Sequence, residues 1–196
     1  MRHTLRTLLG SAVLAAAFHV APAAASQHMV TGAIAPAPIG HKRFCRDFPA
    51  ECRVRSSRTE ATVLSRARWK ELLDVNAAVN GSVEPVTDQE FYATEEFWTY
   101  PQGFGDCEDY VLMKRRMLMQ RGWPASSLLI TVVRQRDGSG HAVLTARTTH
   151  GDFVLDNLDY RVRLWTETPY RYVRRQSASH SGRWKAVRDL RRSLGS

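Results

Sequence analysis

LLITVVRQRDGSGHAVLTARTTHGDFVLDNL, residues 128–158, alternates apolar and polar side chains with a period of two and breaks twice, at DGSG and at TTHG. That period sends successive side chains to opposite faces of a strand, and short glycine-containing breaks join antiparallel neighbours. Strands are predicted over 128–136, 141–147 and 152–158, with further strands over 160–166 and 170–176 continuing the meander. With the second hairpin turning at Thr149-His150, His141 faces Leu158, and Asp156 lies two residues along on the same face. An aspartate so placed can accept a hydrogen bond from one imidazole nitrogen, set the tautomer and leave the other nitrogen free.

Upstream of these strands the period changes to that of helices. Ser65 can cap a helix whose buried face carries Trp69, Leu72, Leu73, Asn76 and Val79 and which can end at Asn80-Gly81. A second helix is predicted from Asp106, a good N-cap with Asp109 three residues later, along the stripe Tyr110, Met113, Met117 and Leu118, until Gly122 and Pro124 stop it. Residues 26–64 show neither period and read as an extended lead-in. Helices followed by strands argue for an α+β domain over 65–196, its antiparallel sheet packed on the second helix. With 196 residues and 43% hydrophobic content, the chain is expected to form one domain rather than two.

The first 25 residues carry Arg2 and Arg6, a short apolar run from Leu8 to Val20 and small residues at 23–25, the pattern of a secretory signal peptide. The run is broken by His19 and Pro22 before it reaches the ~20 apolar residues a membrane span needs. The mature chain is therefore expected in the periplasm or secreted, with no transmembrane segment. An oxidising compartment lets thiols pair. Cys45 and Cys52 in FCRDFPAEC flank a turn-forming Pro49, and closing so small a loop would stabilise the fold by about 2.5 kcal/mol through loop-closure entropy. Cys107 is left as the odd thiol.

The net charge is +9, and the segment from Arg161 onward is the most basic part, with Arg and Lys far outnumbering Glu167 and Asp189. No nucleic-acid-binding motif accompanies it, and an exported protein rarely meets nucleic acid, so a solvated basic face or an acidic partner in the cell envelope is expected. His28, His41, His150 and His180 lie in polar stretches where a solvated ring is the default.

Cys107 stands in GFGDCEDY, residues 103–110, with Asp106, Glu108 and Asp109 around it. Free amides and the macrodipole at a helix start favour a thiolate, as a cysteine nucleophile requires. A carboxylate at about 5 Å and an effective dielectric near 20 opposes it by roughly 3 kcal/mol, more than two pKa units. The acids either cap the helix in water or hold a hard cation such as calcium, which prefers clustered carboxylates and reverses the local charge. Gly103 and Gly105 would let the chain approach a substrate backbone closely.

GDCEDY with its helix, then HAVL, then VLDNL, resembles the bacterial transglutaminase-like cysteine peptidases; VNAAVN at 75–80, FWTYP at 97–101 and FCRDFPAEC add to the likeness. The resemblance covers roughly residues 40–175 and implies a papain-like, transglutaminase-like fold with Cys107 as nucleophile, His141 as base and Asp156 as orienting group. It implies oxyanion donors at the Cys107 amide and near Trp98. One branch of the family implies a calcium ion on Asp106 and Glu108, with Asp109 a weaker candidate, and release of a large surface adhesin under an inner-membrane receptor. An amine-accepting transglutaminase and a catalytically silent peptide-binding module are the alternatives.

Overall fold

Alternation over 128–158 places Leu128, Ile130, Leu144, Ala146 and Leu155 on one face of a sheet and Val133, Val143 and Val154 on the other, each set in its own apolar cluster. The computed structural model describes residues 26–189 and Arg191; the expected signal peptide, 1–25, lies outside the described residues. In chain order the elements are β1 (Val30–Ala35), α1 (Ile39–Asp47), α2 (Pro49–Cys52), α3 (Arg66–Ser82), β2 (Glu84–Pro85), α4 (Asp88–Tyr92), β3 (Phe104–Gly105) and α5 (Cys107–Gln120). Then follow β4 (Leu128–Arg134), β5 (Gly140–Thr148), β6 (Gly151–Leu155), β7 (Arg163–Leu164), β8 (Arg171–Ser177) and β9 (His180–Arg188). The fold is α+β: helices packed on a large antiparallel sheet, as expected.

Seven strands form that sheet in the order β1-β9-β8-β4-β5-β6-β7, each pair antiparallel. The β5–β6 register matches the sequence expectation, with Leu144 opposite Leu155 and Thr145 opposite Val154. β6 ends at Leu155, however, so Asp156 and Leu158 belong to the loop beyond it. The simple meander is corrected as well. β7 is only two residues long, and β8 returns past it to pair with β4. That pairing satisfies a row of backbone groups that β4 would otherwise present as an open edge.

The lead-in is more structured than its composition suggests. β1 pairs with β9, and α1 and α2 form a hook closed by the Cys45–Cys52 disulfide, with Cα atoms 5.5 Å apart. His41 is not solvated. It is buried between Trp98 and Trp184, whose rings stand edge-on to it at 5.5 and 5.2 Å.

α3 begins where expected, its Ser65 hydroxyl accepting from the Arg68 amide at 3.2 Å, and buries Leu72, Val75, Asn76 and Val79. α5 sits between α3 and β5, and this central position buries Tyr110, Val111, Leu112 and Leu118 around most of its circumference. Such a site also encloses polar groups, which then need partners. Arg115 finds them in the Leu128 carbonyl at 3.1 Å and Glu51 at 3.4 Å. No helix among the described residues is long and apolar enough to cross a membrane.

Candidate active site

Cys107 is the first residue of α5, and its sulfur meets the start of β5: the Ala142 amide donates to Sγ at 3.4 Å. Hydrogen bonding between β4 and β5 and packing of α5 on β5 hold the helix start and strand start together. His141, the residue before Ala142, is buried, and its Nε2 lies 2.8 Å from Asp156 Oδ1. Cys107 and His141 line one cleft of about 330 Å³ with Trp98, Asp106, Glu108 and Gly140. The sequence-identified cysteine and histidine therefore share a cavity, with the aspartate behind the histidine.

Asp156 is held from several directions. Tyr170 donates its hydroxyl to Oδ2 at 2.5 Å, and the Leu158 amide donates to Oδ1 at 3.0 Å. Asn80 of α3 fixes the backbone, donating to the Asp156 carbonyl at 2.8 Å, and Asn76, one helical turn earlier, reaches the Tyr160 carbonyl at 3.0 Å. Burial would raise the Asp156 pKa, but the His141 hydrogen bond and charge, Tyr170 and the Leu158 amide outweigh it and hold the carboxyl below its ordinary value. Sequence reading placed Asn76 and Asn80 on a helix without this role and missed Tyr170. The asparagines' signal was present in VNAAVN, where they lie one turn apart on one face of a helix.

The acids around the cysteine divide into two groups. Glu108 turns to the sulfur, accepting the thiol proton at 3.2 Å, whereas Asp106 and Asp109 converge with Asp88, the first residue of α4. One oxygen from each of these three aspartates lies within 4.8 Å of the others. Asp106 makes no side-chain cap; its Oδ2 accepts the Asp88 amide at 3.4 Å, and Asp109 Oδ1 accepts the Thr99 amide at 2.9 Å. Asp88 accepts the Phe97 amide. Asp106 Oδ1 and Asp109 Oδ2 are buried without a hydrogen-bond partner. Burial foremost, together with the neighbouring Asp106 and Asp88 charges, pushes Asp109 up to about 8; burial, with the Asp106 charge, drives Glu108 well above the usual range. Cys107 rises too, from burial first and then from Glu108 and Asp106, against a smaller lowering by the Ala142 amide.

This cluster fits a hard divalent cation. Its donors are all oxygens, their mutual separation suits ligands on bonds of about 2.4 Å to one calcium, and two of them lack any other partner. Asp88 was not anticipated. Its TDQE motif, a capping box in which Thr87 and Glu90 bond reciprocally, marks a helix start but not its proximity to residue 106.

Trp98 lines the cleft; its indole N–H donates to Glu96 at 2.9 Å and its ring packs against His41. Gly105 serves the acid cluster: a Cβ there would lie 2.6 Å from Asp109 Oδ2, so only glycine leaves room for that carboxylate.

No curated protein matches the chain. It is similar to solved structures of Legionella pneumophila LapG at 27% identity. The calcium-bound form matches over 60% of this chain and 68% of that one, with a TM-score of 0.53. The EGTA-treated form matches over 65% and 74%, with a TM-score of 0.52. The family model described as bacterial transglutaminase-like cysteine proteinase matches residues 31–192, from the first strand to beyond the last. A match of that extent, over the same sheet and helices that bring residues 107 and 141 to one cleft, makes the chain a member of the bacterial transglutaminase-like cysteine proteinase family.

Proposed function

We propose that the chain is an exported cysteine peptidase acting through Cys107, His141 and Asp156. The observation that carries this reading is the buried His141–Asp156 pair at 2.8 Å, opening onto the cleft that contains the one free cysteine among the described residues. Asp156 accepts at Nε2, which leaves Nδ1 as the nitrogen that exchanges protons in the cleft.

In the reaction, His141 takes the thiol proton as Cys107 Sγ forms a bond to a peptide carbonyl carbon. The C–N bond then breaks, and the leaving amine receives that proton from His141. Water attacks the thioester, giving its proton to His141, and the acid is released with the thiol restored. The Cys107 amide, at the first position of α5 where no intrahelical acceptor exists, is placed to donate to the developing oxyanion. Asp156 keeps the imidazole oriented and stabilises its charged form.

Asp88, Asp106 and Asp109 are the proposed calcium ligands, with Glu108 adjoining them on the sulfur side. Bound calcium would supply the positive charge that a thiolate among these acids needs. A calcium-bound LapG among the similar solved structures supports a calcium ion here. The substrate class proposed is an extended segment of an exported protein, and the resemblance points to a large surface adhesin under control of an inner-membrane receptor.

The test compares exported and surface proteins of a parent, a deletion strain and a Cys107→Ala strain. Peptidase action predicts a protein whose new N-terminus appears only in the parent. Isopeptide crosslinks lost in both mutants would instead indicate acyl transfer to lysine, and identical protein termini and crosslinks in all three would overturn the enzymatic reading.

A further inference from the structure

β8 and β9 carry Arg171, Arg174, Arg175, Arg183, Lys185 and Arg188 and no acid. Arg175 and Lys185 sit directly opposite each other in the β8–β9 ladder, so two like charges share one face of the sheet, an arrangement that costs stability unless something balances it. Both line a cavity of about 160 Å³ together with Arg147 of β5, and the hydroxyl-bearing residues Thr31, Thr59, Ser177 and Ser179 also line it, the Ser177 and Ser179 hydroxyls bonding each other at 3.0 Å. No carboxylate lines it.

The acid bonded to Arg175 is committed. Asp152 stands opposite Arg147 across the β5–β6 pair, yet its Oδ2 accepts from Arg175 at 2.6 Å and from the Met29 amide at 3.0 Å, while Oδ1 faces His28 at 3.4 Å. Arg147 gives one terminal nitrogen to the Thr59 and Ser126 carbonyls and keeps its charge unpaired among the described residues. Arg175 is only 5% exposed, and its Nε is buried with no acceptor. A buried guanidinium with an unused donor, beside a second guanidinium and an ammonium, calls for an acceptor carrying negative charge. Three cations against the single Asp152 leave an excess of about two charges, which a dianion cancels and a monoanion does not.

We propose that this cavity binds a phosphate dianion, either inorganic phosphate or a phosphomonoester displayed on a lipid surface. Tetrahedral oxygens can accept from the Arg175 fork side, from Arg147, from Lys185 and from the hydroxyls together. The cavity is remote from the cysteine cleft: Arg147 lies six residues along β5 from His141, roughly 20 Å at the rise of a strand. Occupancy therefore leaves the cleft open, and the inference stands independently of the peptidase reading.

Titration calorimetry of the mature chain with inorganic phosphate, at fixed ionic strength and with chloride as control, tests it. Saturable one-to-one binding is expected, weakened roughly 10-fold in Lys185→Ala, the loss of one charge-assisted contact. Lys185 is exposed, so that variant should fold as the parent does, and Ser177→Ala provides a second, neutral probe with a smaller loss. Co-sedimentation separates the sources: binding to phosphatidic acid vesicles above phosphatidylglycerol vesicles of equal charge assigns the lipid-borne monoester, and phosphate binding without vesicle binding assigns the free ion. No saturable phosphate heat and no preference for phosphatidic acid, or parent-like binding in both variants, would overturn the proposal.

Discussion

His41 shows how a side chain's role follows from what encloses it. Both ring nitrogens face donors: the Trp184 indole N–H points at Nδ1 from 3.3 Å and the Gln176 amide nitrogen lies 3.2 Å from Nε2. An imidazolium would set N–H groups against N–H groups. Burial first, and the Arg115 charge second, lower its pKa from 6.5 to about 4. The unfolded chain therefore takes up a proton below pH 6.5 that the folded chain refuses. Stability from this residue is complete above pH 6.5, declines as the pH falls, and is lost at about pH 4, a total of about 3 kcal/mol. Urea unfolding at pH 7 and pH 4.5 should show that loss, and His41→Gln should flatten it; an unchanged slope in the variant would assign the acid sensitivity to other groups. Cys107 illustrates the opposite case: the opposing charges of Asp106 and Glu108 were legible in GDCEDY, whereas its burial, the largest cause of the raised thiol pKa, came only from packing.

Elements act on the cleft through their ends and faces. Among the described residues α3 makes no hydrogen bond to the sulfur, yet one face of it grips the loop after β6 through Asn80 and Asn76. Asn80→Ala removes the hydrogen bond to the Asp156 carbonyl. It should cost about 1 kcal/mol in unfolding free energy and, under the proposed mechanism, lower kcat several-fold with KM little changed, since His141 loses its orientation while the cleft walls stay. A melt paired with steady-state kinetics checks this; a change confined to KM would place Asn80 in substrate binding instead. The helices and central strands were readable because each period repeats within one element. β9 was not: HSGRWKAVR packs Trp184 and Val187 inward, but its charges gave it the look of a solvated tail. The short α4 was missed because five residues are too few for a period to register.

Across the whole molecule, charge is segregated. Acids gather at the cysteine end, where Asp88, Asp106, Glu108 and Asp109 are buried or half-buried, and cations gather on β8 and β9. Burial raises the pKa values of Asp109 and Glu108, and under the proposed calcium assignment a bound cation would return these acids to their ionised form. Adding a calcium chelator should lower the melting temperature by roughly 5 °C or more if calcium is present well above its dissociation constant. Asp88→Asn, which keeps an acceptor for the Phe97 amide, should remove most of that sensitivity. Equal melting of the parent with and without chelator would leave the acids a purely local role.

Local pattern was enough to place the two long helices, the β4–β6 hairpins, the β5–β6 register and the pairing of Cys45 with Cys52. In each case the partners are near in the chain or share one period, so spacing alone constrains them. The return of β8 beside β4, the burial of His41 between two tryptophans, the arrival of Asp88 at Asp106 and the meeting of Arg147 with Arg175 depended on packing between distant segments. Such contacts arise from burying surface and satisfying backbone groups throughout the fold at once, and no stretch of neighbouring residues records that balance.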